Sequence, residues 1–253
     1  MSNKKKIIAI TGGAGRIGKN LCKFLIGQGH KVIIGDLSIR KLKQIRKEVN
    51  SLNVQIFCGD LTKDVVIDRF VKYGIKKFKK IDVLVHCLYP KTKDWGIDFE
   101  NVKPKSLNIN ISKQLGGTII LCQKIIKYFL KKRKGNLILI SSILGIQNPK
   151  FEHYKNTNLS SPIEYCAIKA GIISITKYLA KYYSSRNLKI NCISPGGILD
   201  GHNKKFQSNY RNSCNSKGLL DPKDIVNSID FMISEKSQYI HGQNLIIDDG
   251  WSL

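Results

Sequence analysis

A tyrosine and a lysine four positions apart are the most reactive pair of side chains in the sequence. Tyr165 and Lys169 lie in the string YCAIK, and a helix would place both on one face, one turn apart. A phenol has a pKa of about 10, and a neighbouring ammonium group would lower it by stabilising the phenolate. Ser142 ends an apolar run upstream and would add a second hydroxyl. The set predicts acid–base chemistry at a carbonyl oxygen, although Tyr165 and Lys169 alone would also suit an exposed helix face.

A glycine-rich string near the start of the chain is typical of a phosphate-binding turn. The string TGGAGRIG (11–18) follows an apolar run and precedes a helical segment, with glycines at Gly12, Gly15 and Gly18. This spacing allows a tight turn, close approach of the backbone to a pyrophosphate, and close helix–strand packing. Free N–H groups and the helix dipole would then favour the anion. We expect a dinucleotide here, the alternative being a purely structural turn.

An acidic residue at the end of the second apolar run bears on which dinucleotide binds. Asp36 follows Gly18 by 18 positions, where a carboxylate would accept the ribose hydroxyls of NAD and repel the 2′-phosphate of NADP. Two nearby cations, Arg16 and Arg40, keep NADP open as the less favoured cofactor. Asp36 would otherwise cap the following helix, although Ser38 can also do so. The residues therefore favour NAD.

The chain alternates throughout between short apolar runs and segments with helical periodicity. Seven runs are predicted to be buried parallel strands: 7–11, 31–36, 54–60, 81–87, 135–142, 188–195 and 243–250. Six segments are predicted to be helices: 17–28, 38–50, 63–78, 105–132, 163–185 and 222–234. The alternation predicts an α/β fold, a single Rossmann-type domain over residues 1–253 with a doubly wound parallel sheet and helices on both faces. Irregular stretches follow strands at the sheet edge where ligands bind: 88–104, 143–162 and 196–221.

With these elements in place, the sequence resembles the short-chain dehydrogenase/reductase family over almost its whole length. The resemblance rests on these strings and residues: TGGAGRIG (11–18), Asp36, Gly59-Asp60-Leu61, Ser142, Tyr165, Lys169, Asn191, Pro195-Gly196 and GQNLIIDDG (242–250). It implies an enzyme that moves a hydride between a nicotinamide cofactor and a hydroxyl or keto carbon of a small molecule. It also implies a homodimer or homotetramer, assembled through the predicted helices at 105–132 and 163–185.

The resemblance implies a role for each residue that matches the family pattern. Tyr165 would be the general acid–base, Lys169 would hold the nicotinamide ribose and tune Tyr165, and Ser142 would bind the reacting oxygen. Asp60 would contact adenine, and the segment 195–198 would line the nicotinamide. The residues implied in cofactor binding are Gly12, Gly15, Arg16, Ile17, Gly18, Asp36, Asp60, Leu61, Tyr165, Lys169, Pro195, Gly196 and Ile198.

The sequence departs from the family pattern at several positions. The first glycines are spaced as in the longer, sugar-nucleotide branch of the family, and Arg16 stands where the short branch has its middle glycine. The string His86-Cys87-Leu88-Tyr89 replaces Asn-Asn-Ala-Gly, Asp200 replaces a threonine, and the tail has Asp-Asp-Gly in place of Asp-Gly-Gly. The amide of the family's proton relay aligns with Gln114, and Asn110, one turn earlier, is the competing candidate. The loop between Ser142 and Tyr165 is longer than usual for the short branch and would border the substrate.

Several loop strings are similar to one subgroup, the oxidoreductases of bacterial flagellin modification and nonulosonic (sialic-acid-like) sugar biosynthesis. The strings are LYPKTKDWG (88–96), FEHYKNTNLSSPIEYCAIKAGI (151–172), INCISPGGILD (190–200), GLLDP (218–222) and YIHGQNLIIDDGWSL (239–253). The similarity implies a phosphorylated or nucleotide-linked sugar as substrate. Four loop lysines would attract such an anion, or would be ordinary surface lysines: Lys91, Lys93, Lys150 and Lys155.

The net charge of +25 would also suit a nucleic-acid binder. The cations are 36 lysines and only 7 arginines, whereas nucleic-acid sites favour arginine, whose planar group binds phosphate and guanine with two hydrogen bonds. We interpret the charge as a compositional bias. A non-catalytic NAD-binding protein is the stronger alternative, because the Asn-Asn-Ala-Gly string is missing. The retained Ser142, Tyr165 and Lys169 favour an enzyme.

Other features bear on location and on further sites. Seven cysteines without a C-x-x-C pair favour free thiols in a reducing cytoplasm. The sequence contains no signal peptide and no apolar run of about 18 residues, so we expect a cytoplasmic protein without membrane spans. It contains no His/Cys/Asp cluster with metal-ligand spacing, so we expect no metal. His86 and His153 are weaker acid–base candidates, and Trp95 and Trp251 would flank a pocket or pack in a core or an interface.

Overall fold

Seven parallel strands form one sheet in the computed structural model, which describes residues 4–157 and 159–253. The strands are β1 (Ile7–Thr11), β2 (Lys31–Asp36), β3 (Val54–Cys58), β4 (Val83–His86), β5 (Gly135–Ile140), β6 (Leu188–Pro195) and β7 (Asn244–Ile247). Their order across the sheet is β3-β2-β1-β4-β5-β6-β7. The winding direction changes between β1 and β4, and a sheet of this type binds ligands beyond the carboxyl ends of such strands.

Helices cover both faces of this sheet. In the described part of the chain, the α-helices are α1 (Arg16–Gly27), α2 (Ile39–Val49), α3 (Asp64–Phe78), α4 (Pro104–Ile111), α5 (Gly117–Lys132), α6 (Ile163–Tyr182), α7 (Lys204–Arg211) and α8 (Pro222–Ile233). Helices α1, α2 and α8 share one hydrophobic cluster with the sheet, and α3, α5 and α6 share another. The predicted α/β fold with a doubly wound parallel sheet is confirmed. Among the described residues, none of the helices combines the length and apolar character that crossing a bilayer requires.

The alternation of side chains along each strand explains why both faces need helices. In β1, Ile7 and Ala9 pack into one hydrophobic cluster, and Ile8 and Ile10 pack into the other. Fully burying an isoleucine side chain stabilises the fold by about 1.5–3 kcal/mol. A strand that is apolar on both faces is therefore stable only when helices cover both faces of the sheet.

The helix predicted over 105–132 is three segments. Helix α4 ends at Ile111, a π turn follows over Ser112–Gly116, and α5 begins at Gly117. A π turn inserts one residue into the helical repeat and often marks a functional region. Apolar periodicity did not predict it, because buried positions continue on both sides of the insertion.

Two further differences concern the edge of the sheet where strands end. Helix α7 lies within 196–221, which the sequence suggests is irregular, because only Phe206 and Tyr210 are buried in its eight residues. Four strands end earlier than predicted: at Cys58, His86, Ile140 and Ile247. The residues that follow leave the sheet, and several of them line a cleft at this edge.

One carboxylate ties the tail after β7 to the loop before α8. Asp249 accepts hydrogen bonds from the backbone N–H groups of Ser216 (3.1 Å), Lys217 (2.5 Å) and Gly218 (2.7 Å). The Ser216 hydroxyl donates a further bond at 2.8 Å. These bonds, led by the one from Gly218, lower the pKa of Asp249 to about 2. Asp249 has a left-handed backbone with φ of 55°, so the bonds also hold a conformation that favours glycine.

Asp249→Asn should destabilise the protein near neutral pH and have little effect in acid. Because the native pKa is depressed, the carboxylate stabilises the fold above its ordinary pKa of 3.8, and this contribution is lost as the pH falls toward 2. Thermal unfolding of wild type and variant should show a Tm difference of about 2–4 °C near neutral pH that shrinks below about pH 4. Glu100→Gln, at an exposed position, is the control. A Tm difference that does not vary with pH would contradict this role.

Candidate active site

A cleft opens beyond the carboxyl ends of the strands. Its walls come from the glycine loop, the loops after β3, β4, β5 and β6, and the tail after β7. Its volume is about 1180 Å³, and a usual small-molecule pocket measures roughly 300–1,000 Å³. The cleft is therefore large enough for a dinucleotide together with a second small molecule.

Gly12, in the loop between β1 and α1, and Gly18, in the first turn of α1, are too close to backbone to carry a side chain. Gly12 has a left-handed φ of 67°, and a Cβ there would lie 2.6 Å from the carbonyl oxygen of Cys87. A Cβ on Gly18 would lie 2.5 Å from the carbonyl oxygen of Gly12. Helix α1 begins at Arg16, and its N-cap residue Gly15 has no side chain to satisfy the first N–H groups. These glycines, Arg16 and Ile17 line the cleft, so the start of α1 can receive an anion.

Asp36 lies at the carboxyl end of β2 and lines the same part of the cleft. Its Oδ2 accepts a hydrogen bond from the Ala14 N–H at 3.0 Å, and its Oδ1 accepts one from the Ser38 N–H at 3.2 Å. Each oxygen keeps a lone pair, so the carboxylate can still accept from the hydroxyls of a ribose. The Ser38 hydroxyl caps α2 by accepting from the Lys41 N–H. Capping of α2 therefore does not require Asp36.

Two residues that depart from the family pattern are paired with each other. The guanidinium of Arg16 and the carboxylate of Asp200 form an ion pair, and both residues line the cleft. Arg16 begins α1 and Asp200 lies in the loop after β6, so the pair joins two walls. The charge of Arg16 is thus neutralised within the chain. Arg40 does not belong to the lining of the cleft.

Asp60 and Leu61 follow β3 and complete this end of the cleft. The Oδ1 of Asp60 accepts from the N–H of Thr62 at 3.2 Å and from its hydroxyl at 2.7 Å. Burial raises the pKa of Asp60, but the bonds from Thr62 and the nearby Lys113 and Lys63 outweigh it, so the pKa is lowered. Asp60 therefore presents a carboxylate to the cleft, beside the buried side chain of Leu61.

Ser142, Tyr165 and Lys169 come together at the other end of the cleft. Ser142 follows β5, while Tyr165 and Lys169 lie one turn apart on α6. The hydroxyl of Ser142 accepts a hydrogen bond from the Leu144 N–H at 3.2 Å. The Nζ of Lys169 donates to the carbonyl oxygen of Ile140 at 3.1 Å and lies 5.5 Å from the ring centroid of Tyr165. These side chains form one polar cluster on the wall of the cleft.

Burial changes the acid–base properties of this cluster. It lowers the pKa of Lys169 to about 8, with a partial opposing effect from the thiols of Cys192 and Cys87. The pKa of Tyr165 is raised, because burial outweighs the hydrogen bond with Ser142. The expectation of a lowered pKa combined the Lys169 ammonium with a positively charged nicotinamide, and without the nicotinamide the effect of burial is the larger one. The Lys169 ammonium is bound to a backbone carbonyl and is itself costly to keep charged when buried.

The two candidate relay amides differ in their surroundings. The amide of Asn110 is engaged on both sides, accepting from the Thr92 N–H at 3.0 Å and donating to Glu164 Oε1 at 3.2 Å. Gln114 lies in the π turn, and its Nε2 donates to the carbonyl oxygen of Pro90 at 2.7 Å. Pro90 lines the cleft, whereas Gln114 does not. Gln114 therefore binds a residue of the cleft wall without lining the cleft itself. A relay role for either amide stays a prediction.

Sequence reasoning did not single out Tyr89, which packs against the reactive tyrosine. The ring centroids of Tyr89 and Tyr165 are 5.5 Å apart, and Trp95 packs on Tyr89 at the same distance. The Lys169 Nζ lies 5.7 Å from the ring centroid of Tyr89. The available signal was a large aromatic residue directly after a buried strand, where the family pattern has glycine. Together the two rings shield Tyr165 and Lys169 on one side.

The loop after β6 and the tail after β7 add aromatic side chains to the cleft. The Gly197 N–H donates to the Tyr210 hydroxyl at 2.6 Å, and the ring of Tyr210 stacks on Trp251 at 5.9 Å. The cleft lining here includes Pro195, Gly196, Ile198, Phe206, Tyr210 and Trp251. The long loop between Ser142 and Tyr165 adds Tyr154, Leu159 and Ser160 to the lining, while Asn158 lies outside the described residues.

Of the four loop lysines, Lys91 lines the cleft, and its Nζ lies 6.0 Å from the ring centroid of Tyr89. Lys150 donates to the carbonyl oxygen of Trp251 at 2.9 Å and lies over that ring. Lys93 and Lys155 do not belong to the lining. Lys91 is thus the loop lysine placed to attract an anion in the cleft.

The other candidates lie away from the cleft. His153 is buried and is hydrogen-bonded to the Ser213 hydroxyl at 2.8 Å. Within residues 4–157 and 159–253, no group of three or more His, Cys, Asp or Glu side chains is arranged to hold a metal ion. All seven cysteines are free thiols.

The chain is similar to a known protein family, to named relatives and to a solved structure. Residues 12–252 match a family model described as enoyl-(acyl carrier protein) reductase. A post-translational flagellin modification protein A from Campylobacter coli is 38% identical, and the match covers 99% of each chain. A 7α-hydroxysteroid dehydrogenase from Bacteroides fragilis is 28% identical, over 99% of this chain and 95% of that one. The crystal structure of a short chain dehydrogenase from Leptospira borgpetersenii with bound NAD⁺ superposes with a TM-score of 0.89 at 29% identity, over 99% of this chain and 94% of that one.

Gly18→Ala should disrupt the glycine loop, whereas Gly27→Ala on the same helix should not. The added methyl at position 18 collides with backbone, so we expect a loss of about 1–3 kcal/mol in the free energy of unfolding and weaker binding of a nicotinamide dinucleotide. Nothing lies within 4 Å of a Cβ at Gly27, so alanine there should stabilise the fold by about 0.5–1 kcal/mol. Urea unfolding and calorimetric titration with NAD measure the two effects. Equal stability of the two variants would show that the loop tolerates a side chain.

Proposed function

The chain belongs to the short-chain dehydrogenase/reductase family, and from this premise we propose that it is an NAD-dependent oxidoreductase acting on a sugar. The reaction would move a hydride between the nicotinamide and a hydroxyl or keto carbon of a phosphorylated or nucleotide-linked sugar. The supporting observation is that one cleft joins a glycine loop suited to a pyrophosphate with the cluster of Ser142, Tyr165 and Lys169. A protein whose only role was to bind NAD would not need these three side chains together.

The residues at the glycine-loop end fit a nicotinamide dinucleotide. Gly12 and Gly18 form a cradle that side chains would fill, and the start of α1 offers N–H groups to the pyrophosphate. Asp36 would accept the adenosine ribose hydroxyls and repel a 2′-phosphate. Arg16 does not oppose this preference, because Asp200 neutralises it. When bound, the dinucleotide supplies or accepts the hydride.

Tyr165 is the group that moves the proton in this proposal. Its raised pKa keeps the hydroxyl protonated near neutral pH, so it can donate to the carbonyl oxygen in the reducing direction. Ser142, which lines the same end of the cleft, orients the same oxygen. The Lys169 ammonium lies over the ring of Tyr165 and stabilises the phenolate that remains. In the oxidising direction Tyr165 must first lose its proton, which higher pH favours.

Three observations support a sugar substrate with a negative charge. The Campylobacter coli relative is named for flagellin modification, in agreement with the subgroup that the loop strings resemble. Lys91 places a cation on the cleft wall beside Tyr89, near the reactive Tyr165. The aromatic side chains of the same cleft offer apolar surfaces to a sugar ring: Tyr154, Phe206, Tyr210 and Trp251.

The direct test is a matrix of NAD(H) and NADP(H) against four substrate classes, followed by nicotinamide absorbance. The classes are phosphorylated keto-sugars, nucleotide-linked keto-sugars, a 3-oxoacyl thioester and a hydroxysteroid, the last two representing activities named for relatives. We expect turnover with NAD(H) and an anionic sugar. Turnover confined to the thioester or the steroid would overturn the sugar assignment. NAD binding without turnover of any substrate would favour a non-catalytic protein.

Tyr165→Phe should abolish most of the turnover and leave NAD binding intact. Loss of the acid–base group should lower kcat by about 10²–10⁴-fold, because the carbonyl oxygen no longer receives a proton. Tyr239→Phe is the control, since Tyr239 is 91% exposed and does not line the cleft. Steady-state kinetics and NAD titration measure the two quantities. Unchanged turnover in Tyr165→Phe would remove Tyr165 from the mechanism.

Asp36→Asn should shift the cofactor preference toward NADP. The amide keeps the size and one acceptor oxygen but removes the charge that repels a 2′-phosphate. We expect the ratio of the Kd for NADP to the Kd for NAD to fall by about tenfold. Asp98→Asn, at an exposed position outside the cleft, is the control. If titration gives the same ratio for all three proteins, Asp36 does not determine the preference.

The homo-oligomer and the cytoplasmic location stay predictions. Exposed apolar side chains on α5 and α6 support assembly through these helices: Ile119, Tyr178 and Tyr182. The seven free thiols support a reducing compartment.

A further inference from the structure

A buried histidine at the end of β4 connects two parts of the site without reaching the cleft. His86 is 4% exposed and does not belong to the cleft lining. Its Nδ1 lies 2.7 Å from the hydroxyl oxygen of Thr11, and its Nε2 lies 3.0 Å from that of Thr118. The Thr118 hydroxyl in turn lies 2.6 Å from the carbonyl oxygen of Gln114. Four residues therefore form one buried chain of hydrogen bonds.

The direction of each bond in this hydrogen-bond chain follows from its last member and from the neutral charge of the buried His86 ring. The carbonyl oxygen of Gln114 can only accept, so the single hydroxyl hydrogen of Thr118 is donated to it. Thr118 must then accept from His86, which places the ring proton on Nε2. The unprotonated Nδ1 of His86 accepts from the hydroxyl of Thr11. One neutral tautomer therefore satisfies all four groups at once.

The two ends of this hydrogen-bond chain, Thr11 and Gln114, lie near the two functional ends of the cleft. Thr11 immediately precedes Gly12, the left-handed glycine of the dinucleotide loop. Gln114 lies in the π turn, and its side chain binds the carbonyl oxygen of Pro90. Pro90 adjoins Tyr89, the ring that packs on Tyr165.

We propose that His86 is a positioning residue that holds the π turn in place relative to the glycine loop, and through Gln114 and Pro90 sets the wall beside Tyr165. A π turn interrupts the regular α-helical repeat and is frequent at functional sites. Here Gln114 within the turn and Thr118 just after it are both members of the hydrogen-bond chain that begins at Thr11.

An acid–base role for His86 does not fit these observations. Both ring nitrogens are already bonded, and no atom of the residue lines the cleft. Burial, assisted by the charge of Lys169, lowers the pKa of His86 to about 3. The ring is thus neutral at working pH, and it influences the reaction only by fixing its neighbours.

Thr118→Val and Thr176→Val are a matched pair for testing this proposal. Both threonines are 1% exposed, and each donates its hydroxyl to the carbonyl oxygen four residues earlier: Gln114 for Thr118 and Ile172 for Thr176. The Thr118 hydroxyl also accepts from His86, whereas Thr176 lies on α6 away from the cleft lining. Valine keeps the shape of threonine, so both variants should fold.

The expected result is a local change in Thr118→Val that Thr176→Val does not show. Amide hydrogen exchange over residues 112–118 should become about tenfold faster, with and without NAD. The kcat should fall by about 10–100-fold while the Kd for NAD stays constant, as is usual when a supporting hydrogen bond is lost. Only the kcat measurement rests on the proposed function, because the exchange measurement needs no substrate.

A second variant tests whether the hydrogen-bond chain acts as a unit. His86→Leu removes the central residue of that chain, so adding Thr118→Val should change neither the amide hydrogen exchange nor the kcat further. Additive effects, or a Thr118→Val protein that matches Thr176→Val, would overturn the proposal. If His86→Leu does not fold, the matched threonine pair decides alone. A wild type inactive on every substrate would refute the proposed function, and the exchange data would still decide the role of His86.

Discussion

Parallel pairing of strands buried on both faces is the constraint on which the rest of this structure depends. It brings the carboxyl ends of β1, β4, β5 and β6 to one edge of the sheet. The register places Thr11 opposite His86, so the loops that follow must pass each other closely. The absence of a side chain on Gly12 permits that passage beside Cys87. Loops distant in sequence consequently share one cleft, with the N–H groups at the start of α1 at one end and hydroxyl groups at the other.

The burial that stabilises this sheet also sets the chemistry at its edge. Lys169 and Tyr165 begin with ordinary pKa values of 10.5 and 10.0, and burial lowers the first to about 8 and raises the second. In the protein alone, the lysine therefore loses its proton at lower pH than the tyrosine. Positive charge in addition to that of Lys169 would favour a phenolate at Tyr165.

Local patterns in the sequence were sufficient for most of the fold and for the polar cluster. Continuous Ile and Val runs predicted the strands, and the spacing of Gly12, Gly15 and Gly18 predicted the loop that the structure places at the start of α1. The π turn was not predictable, since one inserted residue leaves the apolar positions on both sides unchanged. Contacts between distant residues, such as that of Tyr89 with Tyr165, depend on how loops from separate strands meet. The pKa direction of Tyr165 depends on burial, which a four-residue spacing does not reveal.

The ion pair between Arg16 and Asp200 has a consequence for descent within the family. Each residue stands where the family pattern described above has an uncharged one, and each lies on a wall of the cleft. An ancestor that gained Asp200 alone would have placed a negative charge beside the start of α1, where free N–H groups favour an anionic ligand. Gain of Arg16 alone would have left an unmatched cation there. The two positions should therefore have changed together, and related sequences should carry both charges or neither.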